Sequence, residues 1–353
     1  MPAWEIQQLP VREQPDELLA AIYAARTQLH QEAEPDDPRR PLAEEIAEIR
    51  NLPLPVGGFV LVARDSAGSI AGIGTCWWED LPGRDHILVA DVAVLPGARG
   101  QGLGWLLLDR CAAIAQQRGL RLVIGRTRDN VPSGAAFCAR LGAEQAMVGR
   151  ENRLDLRAVD RALVDRWLAE GPLRAPGYRL EFVAGLTPPH LAEQAAEVAN
   201  VMNTAPRENL DMGDTPITAA LLREYEAADA AAGVEHWAYY AVQEATGRFV
   251  GVTDIHLRSG TPDRVQVGAT AVDPAHRGRS LGKWLKAAMT RQILGERPEV
   301  RWVITHNAGS NDAMLAINDQ LGFRTTAVHT AWQLATDRLC ALTRENLARG
   351  PLD

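Results

Sequence analysis

The eleven-residue pattern Val-x-Pro-x-x-Arg-Gly-x-x-Leu-Gly occurs twice in this 353-residue chain, at Val94–Gly104 and at Val272–Gly282. Each copy ends an apolar, strand-like run and opens an amphipathic, helix-like one. A glycine-rich turn at a helix N-terminus aims several backbone N–H groups at one point and is suited to hold phosphate. Arg99 and Arg277, which head the two turns, stand 178 positions apart. A second pair of landmarks, Leu141-Gly142-Ala143 and Leu321-Gly322-Phe323, stands 180 apart in the same order. A near-constant offset between two landmarks is the mark of an internal repeat. The chain is therefore constrained to two similar halves, each built around a strand, a phosphate-type turn and a helix.

The rest of each half follows the same order. In the first, 4–9 reads as a strand, 16–30 and 42–50 as helices about a loop Glu34-Pro35-Asp36-Asp37-Pro38, and 59–64 and 70–77 as a hairpin. Then come strand 87–94, helix 103–117 stopped at Gly119, strand 122–126 and helix 133–140. The second half repeats this with strand 178–183, helices 188–200 and 217–232, strands 237–243, 249–257 and 265–272, helix 281–294 stopped at Gly295, strand 300–305, helix 312–320 and strand 329–334. Between the halves, 159–170 reads as a linker helix ending at Gly171-Pro172. This predicts domains at 1–157 and 176–353, joined by a linker at 158–175. The alternation implies an α/β fold of the mixed αβα kind, a sheet with helices on its faces.

Composition narrows the function. A formal net charge of −8 gives no support for a nucleic-acid partner. No apolar run approaches the ~20 residues of a membrane span, and the start MPAWEIQQLP has no secretory pattern. Four cysteines without metal-type spacing predict no metal site and fit a cytoplasmic protein.

In the two turns, Gly100 and Gly278 can take backbone angles that a side chain penalises. Leu103, Leu107, Cys111 and Ile114 share one helix face, as do Leu281, Leu285, Met289 and Gln292 or Ile293. That face anchors the helix and leaves its N-terminus free for a diphosphate. The spacing fits neither a P-loop nor the Gly-x-Gly-x-x-Gly dinucleotide fingerprint.

These residues resemble the Gcn5-related N-acetyltransferase (GNAT) family, whose signature is Arg/Gln-x-x-Gly-x-Gly/Ala between a strand and a helix. Arg99-Gly100-Gln101-Gly102-Leu103-Gly104 matches every position. Arg277-Gly278-Arg279-Ser280-Leu281-Gly282 departs only at Ser280, which is read as tolerable in an ordinary helical conformation. The segment from Asn311 to Phe323 resembles a later element of the family, with Asn318 where a tyrosine is frequent; Cys138 holds that place in the first half. Thr305-His306-Asn307 through Arg324 looks like a group of actinobacterial two-domain acetyltransferases. The resemblance implies two tandem acyl-CoA N-acyltransferase domains, each a mostly antiparallel twisted sheet flanked by helices, packed as a pseudo-dimer. It implies acetyl-CoA as donor and a small-molecule primary amine as acceptor, joined by direct attack in a ternary complex. The loop amides of both turns would bind the pyrophosphate. Val92, Ala93 and Val94, and Thr270, Ala271 and Val272, would offer backbone to the pantetheine and the acetyl carbonyl, where an N–H stabilises the oxyanion. Asn307 and Asn311 would bond the pantetheine arm, or cap the helix.

An alkylammonium must lose a proton before it can attack. The family's frequent glutamate, eleven residues before the loop arginine, is replaced by Leu88 and Gln266. Asp91 and then Glu79 are substitutes in the first half; Asp254 and His256, on one strand face, are those of the second. Asp91 and Asp254 read more readily as polar residues bonded to a neighbouring loop or facing water. Cys138 could protonate the leaving thiolate or be an apolar filler. Asn318 can orient the thioester or a water but cannot act as an acid. Trp78 could stack on a ligand, and 202–215 could form an acceptor lid. The second half is the favoured catalyst because of Asn307, Asn311 and Phe323. The rivals are a non-catalytic CoA-binding or sensing protein and an acyltransferase of the mycothiol-synthase kind.

Overall fold

In the computed structural model, residues 4–35 and 37–349 are described; Asp36 of the charged loop and the two chain ends lie outside them. The chain forms two compact units, each assembled from non-contiguous segments: 1–148, 208–214 and 329–353 in the first, and 149–207 with 215–328 in the second.

The first unit carries strands β1 (Glu5–Pro10), β2 (Val56–Arg64), β3 (Ile70–Glu79), β4 (Ile87–Val94) and β5 (Leu122–Arg128), and helices α1 (Asp16–Ala33), α2 (Leu42–Arg50), α3 (Leu103–Gln117) and α4 (Pro132–Arg140). Strand β6 (Glu144–Asp155) follows, and its residues 149–155 belong to the second unit. That unit continues with α5 (Arg161–Arg174), β7 (Tyr178–Ala184), α6 (Ala192–Ala199), α7 (Ala219–Ala231), β8 (Val234–Gln243), β9 (Phe249–Arg258), β10 (Arg264–Val272), α8 (Leu281–Glu296), β11 (Trp302–Ala308) and α9 (Asp312–Leu321). Strand β12 (Arg324–Ala335) and helix α10 (Thr336–Arg349) close the chain.

Strands β1 to β4 pair antiparallel in sequence order, β4 and β5 pair parallel, and β5 pairs antiparallel with residues 329–335 of β12. The second unit has the matching arrangement. Strands β7 to β10 pair antiparallel, β10 and β11 pair parallel, and β11 pairs antiparallel with 149–155 of β6. Each repeat thus supplies the closing strand of the other unit's sheet. The helices after these strands follow them. Helix α10 packs on α3, with Thr343 donating to Asp109 at 2.8 Å. Helix α5, the segment read as a linker, belongs to the second unit and packs on α8.

The compact units therefore divide the chain differently from domains at 1–157 and 176–353. Local pattern reports that a strand forms but not which neighbour it pairs with. Helix α5 also runs through Gly171-Pro172 to Arg174. A Cβ at Gly171 would lie 2.4 Å from the Trp284 ring, so glycine there permits close helix packing rather than a stop. Helix α8 likewise continues past Gly295 to Glu296.

The apolar helix faces are as the spacing predicts. Leu103, Leu107, Cys111 and Ile114 of α3 are buried, and on α8 the buried set takes Ile293 rather than Gln292. Trp78 is also buried, beneath the Arg118 guanidinium at 3.8 Å, so it is a core residue rather than a ligand platform. Among the described residues no helix is long and apolar enough to cross a membrane.

Leu339 of α10 is 2% exposed within the core of the first unit. Leu339→Ala is expected to cost about 2–5 kcal/mol, as for any buried leucine. Urea denaturation followed by circular dichroism checks this; a C-terminal tail lying loosely on the surface would lose almost nothing.

Candidate functional site

Parallel pairing between β4 and β5 stops after three residue pairs, the last being Val89 with Ile124. In the second unit it stops equally early, at Gln266 with Ile304. Beyond those points β4 and β10 run on unpaired along that side, so each unit has a splayed pair of strands with unmade backbone bonds. At the end of each long strand sits one of the two repeated turns, and the helix after it starts over the gap.

Gly100 and Gly102 have φ of 75° and 82°, and Gly278 has φ of 79°. No atom lies within 4 Å of a Cβ built on Gly100 or Gly278, so open space adjoins both turns. Ser280 has φ of 62°, in the left-handed region and not in the ordinary helical conformation expected of it. The turn demands this geometry of its helix N-cap, as Gly102 shows, and a non-glycine residue there costs roughly 1–2 kcal/mol. The two arginines do the same structural work: Nε of Arg99 donates to Val94 O and Nε of Arg277 to Val272 O, both at 2.9 Å. These bonds fold the turn back onto its strand.

The turns differ in charge. Arg99 forms a two-pronged pair with Glu32 at 2.7 and 2.5 Å, which raises the arginine's pKa and lowers that of the glutamate. Arg277 instead donates to Thr204, and Arg279 to the carbonyls of Ala275 and Arg277. Neither meets a carboxylate among the described residues. The second turn therefore presents two uncompensated guanidinium charges and the first presents none. Gln101, Leu103 and Gly104, like Leu281 and Gly282, lie on the turns as the pattern places them. Leu103 and Leu281, however, point into the cores, and only their backbone is available.

The long strands differ as well. Strand β4 alternates without interruption, with Leu88, Ala90, Val92 and Val94 all packed in the core beneath α3. Strand β10 carries a bulge between Val267 and Thr270. One extra residue reverses the facing of everything on one side of it. Leu88 thus points into the core while Gln266, at the same distance before its arginine, points to the opposite face. The bulge is held by Asp254, whose Oδ1 accepts the Ala269 N–H. A Cβ at Gly268 would lie 2.5 Å from that oxygen.

On this face of the second unit several polar groups meet. Asp254 Oδ2 lies 3.3 Å from His236 Nε2, and the rings of His236 and His256 are 5.2 Å apart. His256 is the register partner of Gln266, whose Nε2 is 3.1 Å from Nδ1 of His306. Asp229 of α7 lies 3.8 Å from His256. Burial works to raise the Asp254 pKa, but bonding and charge from His236, with His256 and the Ala269 N–H, outweigh it and hold the carboxyl below its ordinary value. Burial opposes protonation of His236, yet its bond to Asp254 raises it overall. His256 is lowered, chiefly by burial, against the opposing pull of Asp254. Ligand atoms of His236, Asp254 and His256 lie within 4.8 Å of one another, a spacing that could hold a metal ion. With one Asp254 oxygen given to the bulge and the other to His236, the trio is equally a hydrogen-bonded relay.

The other sequence candidates are dispersed. Glu79 ends β3, paired with Arg84 at 3.1 Å and away from the splayed segment. Cys138 is half-buried on α4, its thiol pushed up to about 11 by burial. Asp91 is exposed on the α1 face of the first unit. Asn311 caps α9 by accepting from Met314 N–H. Asn307 accepts from Asn318 at 2.8 Å. Asn318 is 1% exposed, and its Oδ1 has no hydrogen-bond donor among the described residues. Thr270 shares a 2.9 Å hydrogen bond with Thr253. The segment read as a lid is divided. Residues 208–214 belong to the first unit, where Asp211 pairs with Arg121 at 2.8 Å and Gly213 N–H donates to Gly83. His236 and His306 escaped sequence reasoning because only strand pairing brings them to Asp254 and Gln266.

The acetyltransferase (GNAT) family matches residues 19–143 and 207–323. A mycothiol acetyltransferase of Geodermatophilus obscurus is 28% identical over 326 residues, covering 91% of this chain and 96% of that protein. Among solved structures, a tandem GNAT protein from the clavulanic acid biosynthesis pathway is 25% identical with a TM-score of 0.75, covering 94% of this chain and 99% of that one. A GCN5-related N-acetyltransferase from Sphaerobacter thermophilus shares the fold at 18% identity, with a TM-score of 0.63 and coverage of 93% and 96%.

Gly268→Ala is expected to cost about 1–3 kcal/mol through overpacking against Asp254. Gly295→Ala, where a Cβ meets nothing within 4 Å, is the control and should stabilise the helix by about 0.5–1 kcal/mol. Parallel urea titrations decide; equal behaviour of the two variants would mean that Asp254 does not brace the bulge.

Proposed function

Since the chain belongs to the acetyltransferase (GNAT) family, with a family match in each repeat, we propose that its second unit transfers an acetyl group from acetyl-CoA to a primary amine of a small molecule. The observation that carries this reading is the combination, in that unit alone, of a splayed and bulged β10 with a turn bearing two uncompensated arginines. Backbone N–H groups of Gly278–Gly282, with Arg277 and Arg279, hold the pyrophosphate. The free edge of Thr270, Ala271 and Val272 takes the pantetheine, and Oδ1 of Asn318, without a donor among the described residues, accepts a hydrogen bond from a ligand N–H or a water O–H. Bound there, acetyl-CoA supplies the activated thioester carbonyl.

The chain's own groups then manage protons. Asp254 and Asp229 give the acceptor face a negative balance that draws an ammonium. His256, neutral at pH 7 because burial lowers its pKa, takes the proton that the amine must lose, directly or through a water. His236 keeps Asp254 ionised, and Asp254 keeps the bulge in place. The amine nitrogen bonds to the acetyl carbon, the carbon–sulfur bond breaks, and the thiolate that leaves takes a proton from solvent. Asn318 orients and does not donate an acidic proton. The first unit, with an unbulged β4 and Arg99 neutralised by Glu32, serves as a structural or ligand-binding partner.

A second reading concerns the acceptor. The full-length similarity to a mycothiol acetyltransferase favours an amine acceptor related to that protein's, and an acceptor panel that includes it distinguishes the two. Release of free CoA over that panel tests the enzyme itself: tight acetyl-CoA binding with no turnover on any amine would leave a non-catalytic binding protein.

Two variants probe the assignment. His256→Gln is expected to lower kcat by about 10²–10⁴-fold. A base works above its pKa, and that of His256 is depressed, so wild-type kcat/KM should stay level at neutrality and fall only below about pH 6.5. That acid limb should vanish in the variant, as a pH–rate profile will show. Arg279→Ala is expected to raise KM for acetyl-CoA severalfold, while Gln101→Ala in the first turn leaves it unchanged; steady-state kinetics at varied acetyl-CoA check both.

A further inference from the structure

The first unit has its own cluster of charged side chains on the face that corresponds to the acceptor side of the second. Asp91 and Arg126 lie two residues beyond the last β4–β5 pair, Val89 with Ile124. Side chains alternate along a strand, so both face the same way where the strands diverge. Thr75 is the register partner of Asp91 on β3. Arg26 reaches down from α1 to donate to Thr75 Oγ1 at 2.7 Å. Arg26, held over Thr75 of β3, thus joins Asp91 of β4 and Arg126 of β5 on one face of the sheet.

None of these three has an opposite charge within 4 Å among the described residues. Their neighbours do. Glu45 is engaged by Arg39 at 2.9 and 2.7 Å, and Glu34 by Arg128. Burial lowers the Arg26 pKa, with Glu45 and Asp91 only partly opposing it. Burial raises that of Asp91 against the pull of Arg126 and Arg26. Asp91 nevertheless shows an exposed surface, so a ligand can reach it from solvent. Two guanidiniums and one carboxylate stand close enough to influence one another, yet too far apart to pair. A crowded, unpaired guanidinium is costly and is normally compensated by a partner.

We propose that this charged cluster in the first unit binds a free α-amino acid or a similar zwitterion, its carboxylate between Arg26 and Arg126 and its ammonium on Asp91. A simple anion would meet the Asp91 carboxylate, and a simple amine would meet two arginines. A ligand carrying an ammonium and a carboxylate on one carbon completes all three, and guanidinium–carboxylate recognition supplies directional bonds. Binding here is independent of transfer in the second unit, because it uses none of that unit's residues.

The test is calorimetric titration of the full chain, without acetyl-CoA, against each of the twenty free α-amino acids. The same compounds are then tried with the amine acetylated or the carboxylate amidated. Binding of at least one free amino acid is expected, weakened tenfold or more by either blocking group. Arg126→Gln, an exposed position, and Asp91→Asn should each weaken it tenfold or more, and circular dichroism melts report that the fold is intact. If no free amino acid binds, if blocked forms bind as well as free ones, or if both variants bind like the wild type, the proposal is wrong. Loss of acetyl transfer in the His256 variant with amino-acid binding retained would separate this site from the catalytic one.

Discussion

Only three residue pairs join β4 to β5, and only three join β10 to β11. Everything functional depends on that early parting. Backbone groups beyond it have no partner in the sheet, and unsatisfied donors and acceptors are tolerated only where solvent or a ligand can reach them. The glycine turns follow directly, because each long strand must reverse into a helix whose N-terminus overlooks the gap. Arg99 and Arg277 complete the device by bonding to the carbonyl five residues back. Their first duty is thus to shape the turn, and their charge becomes available to a ligand only where no carboxylate claims it.

The two repeats keep this frame and differ in its details. In the first, Glu32 cancels the turn's arginine and β4 alternates without a break. In the second, the turn's arginines stay uncompensated and a single inserted residue bends β10. The insertion turns Gln266 toward the polar face, while Leu88 remains in the core. Asp254 spends one oxygen on that bend and the other on His236. His256 stands beside Gln266, with Asp229 3.8 Å from its ring. In the first repeat the same face carries Arg26, Asp91 and Arg126, a charge pattern suited to holding a ligand rather than deprotonating one. Duplication has produced one frame with two electrostatic fillings.

Much of this was legible in the sequence. The repeat, the turn geometry and the apolar faces of α3 and α8 are local properties, and strand 87–94 and helices 42–50 and 103–117 have the boundaries that local pattern predicts. Asp254 and His256 were found because alternation puts them on one face. Other features were not legible. Helix α10 lacks the apolar continuity that marked the other helices, since it buries only Thr336, Leu339, Cys340 and Thr343. Ser280 was read as ordinary because its conformation is imposed by the turn and not by its own preference. Asn311 caps α9, one of the two roles its position suggests.

The sequence by itself determined that the chain is a duplicated strand–turn–helix protein of the GNAT kind with a phosphate-type turn in each half, because spacing and glycine placement are properties of the chain alone. Tertiary structure decided the rest. Which strand closes which sheet depends on pairing between residues as far apart as Asn152 and Thr305. Whether an arginine's charge is spent depends on Glu32, 67 positions away. Which histidine stands beside Gln266 depends on the β9–β10 register. Each of these is a contact between distant segments, and the energy that selects it arises only when those segments meet.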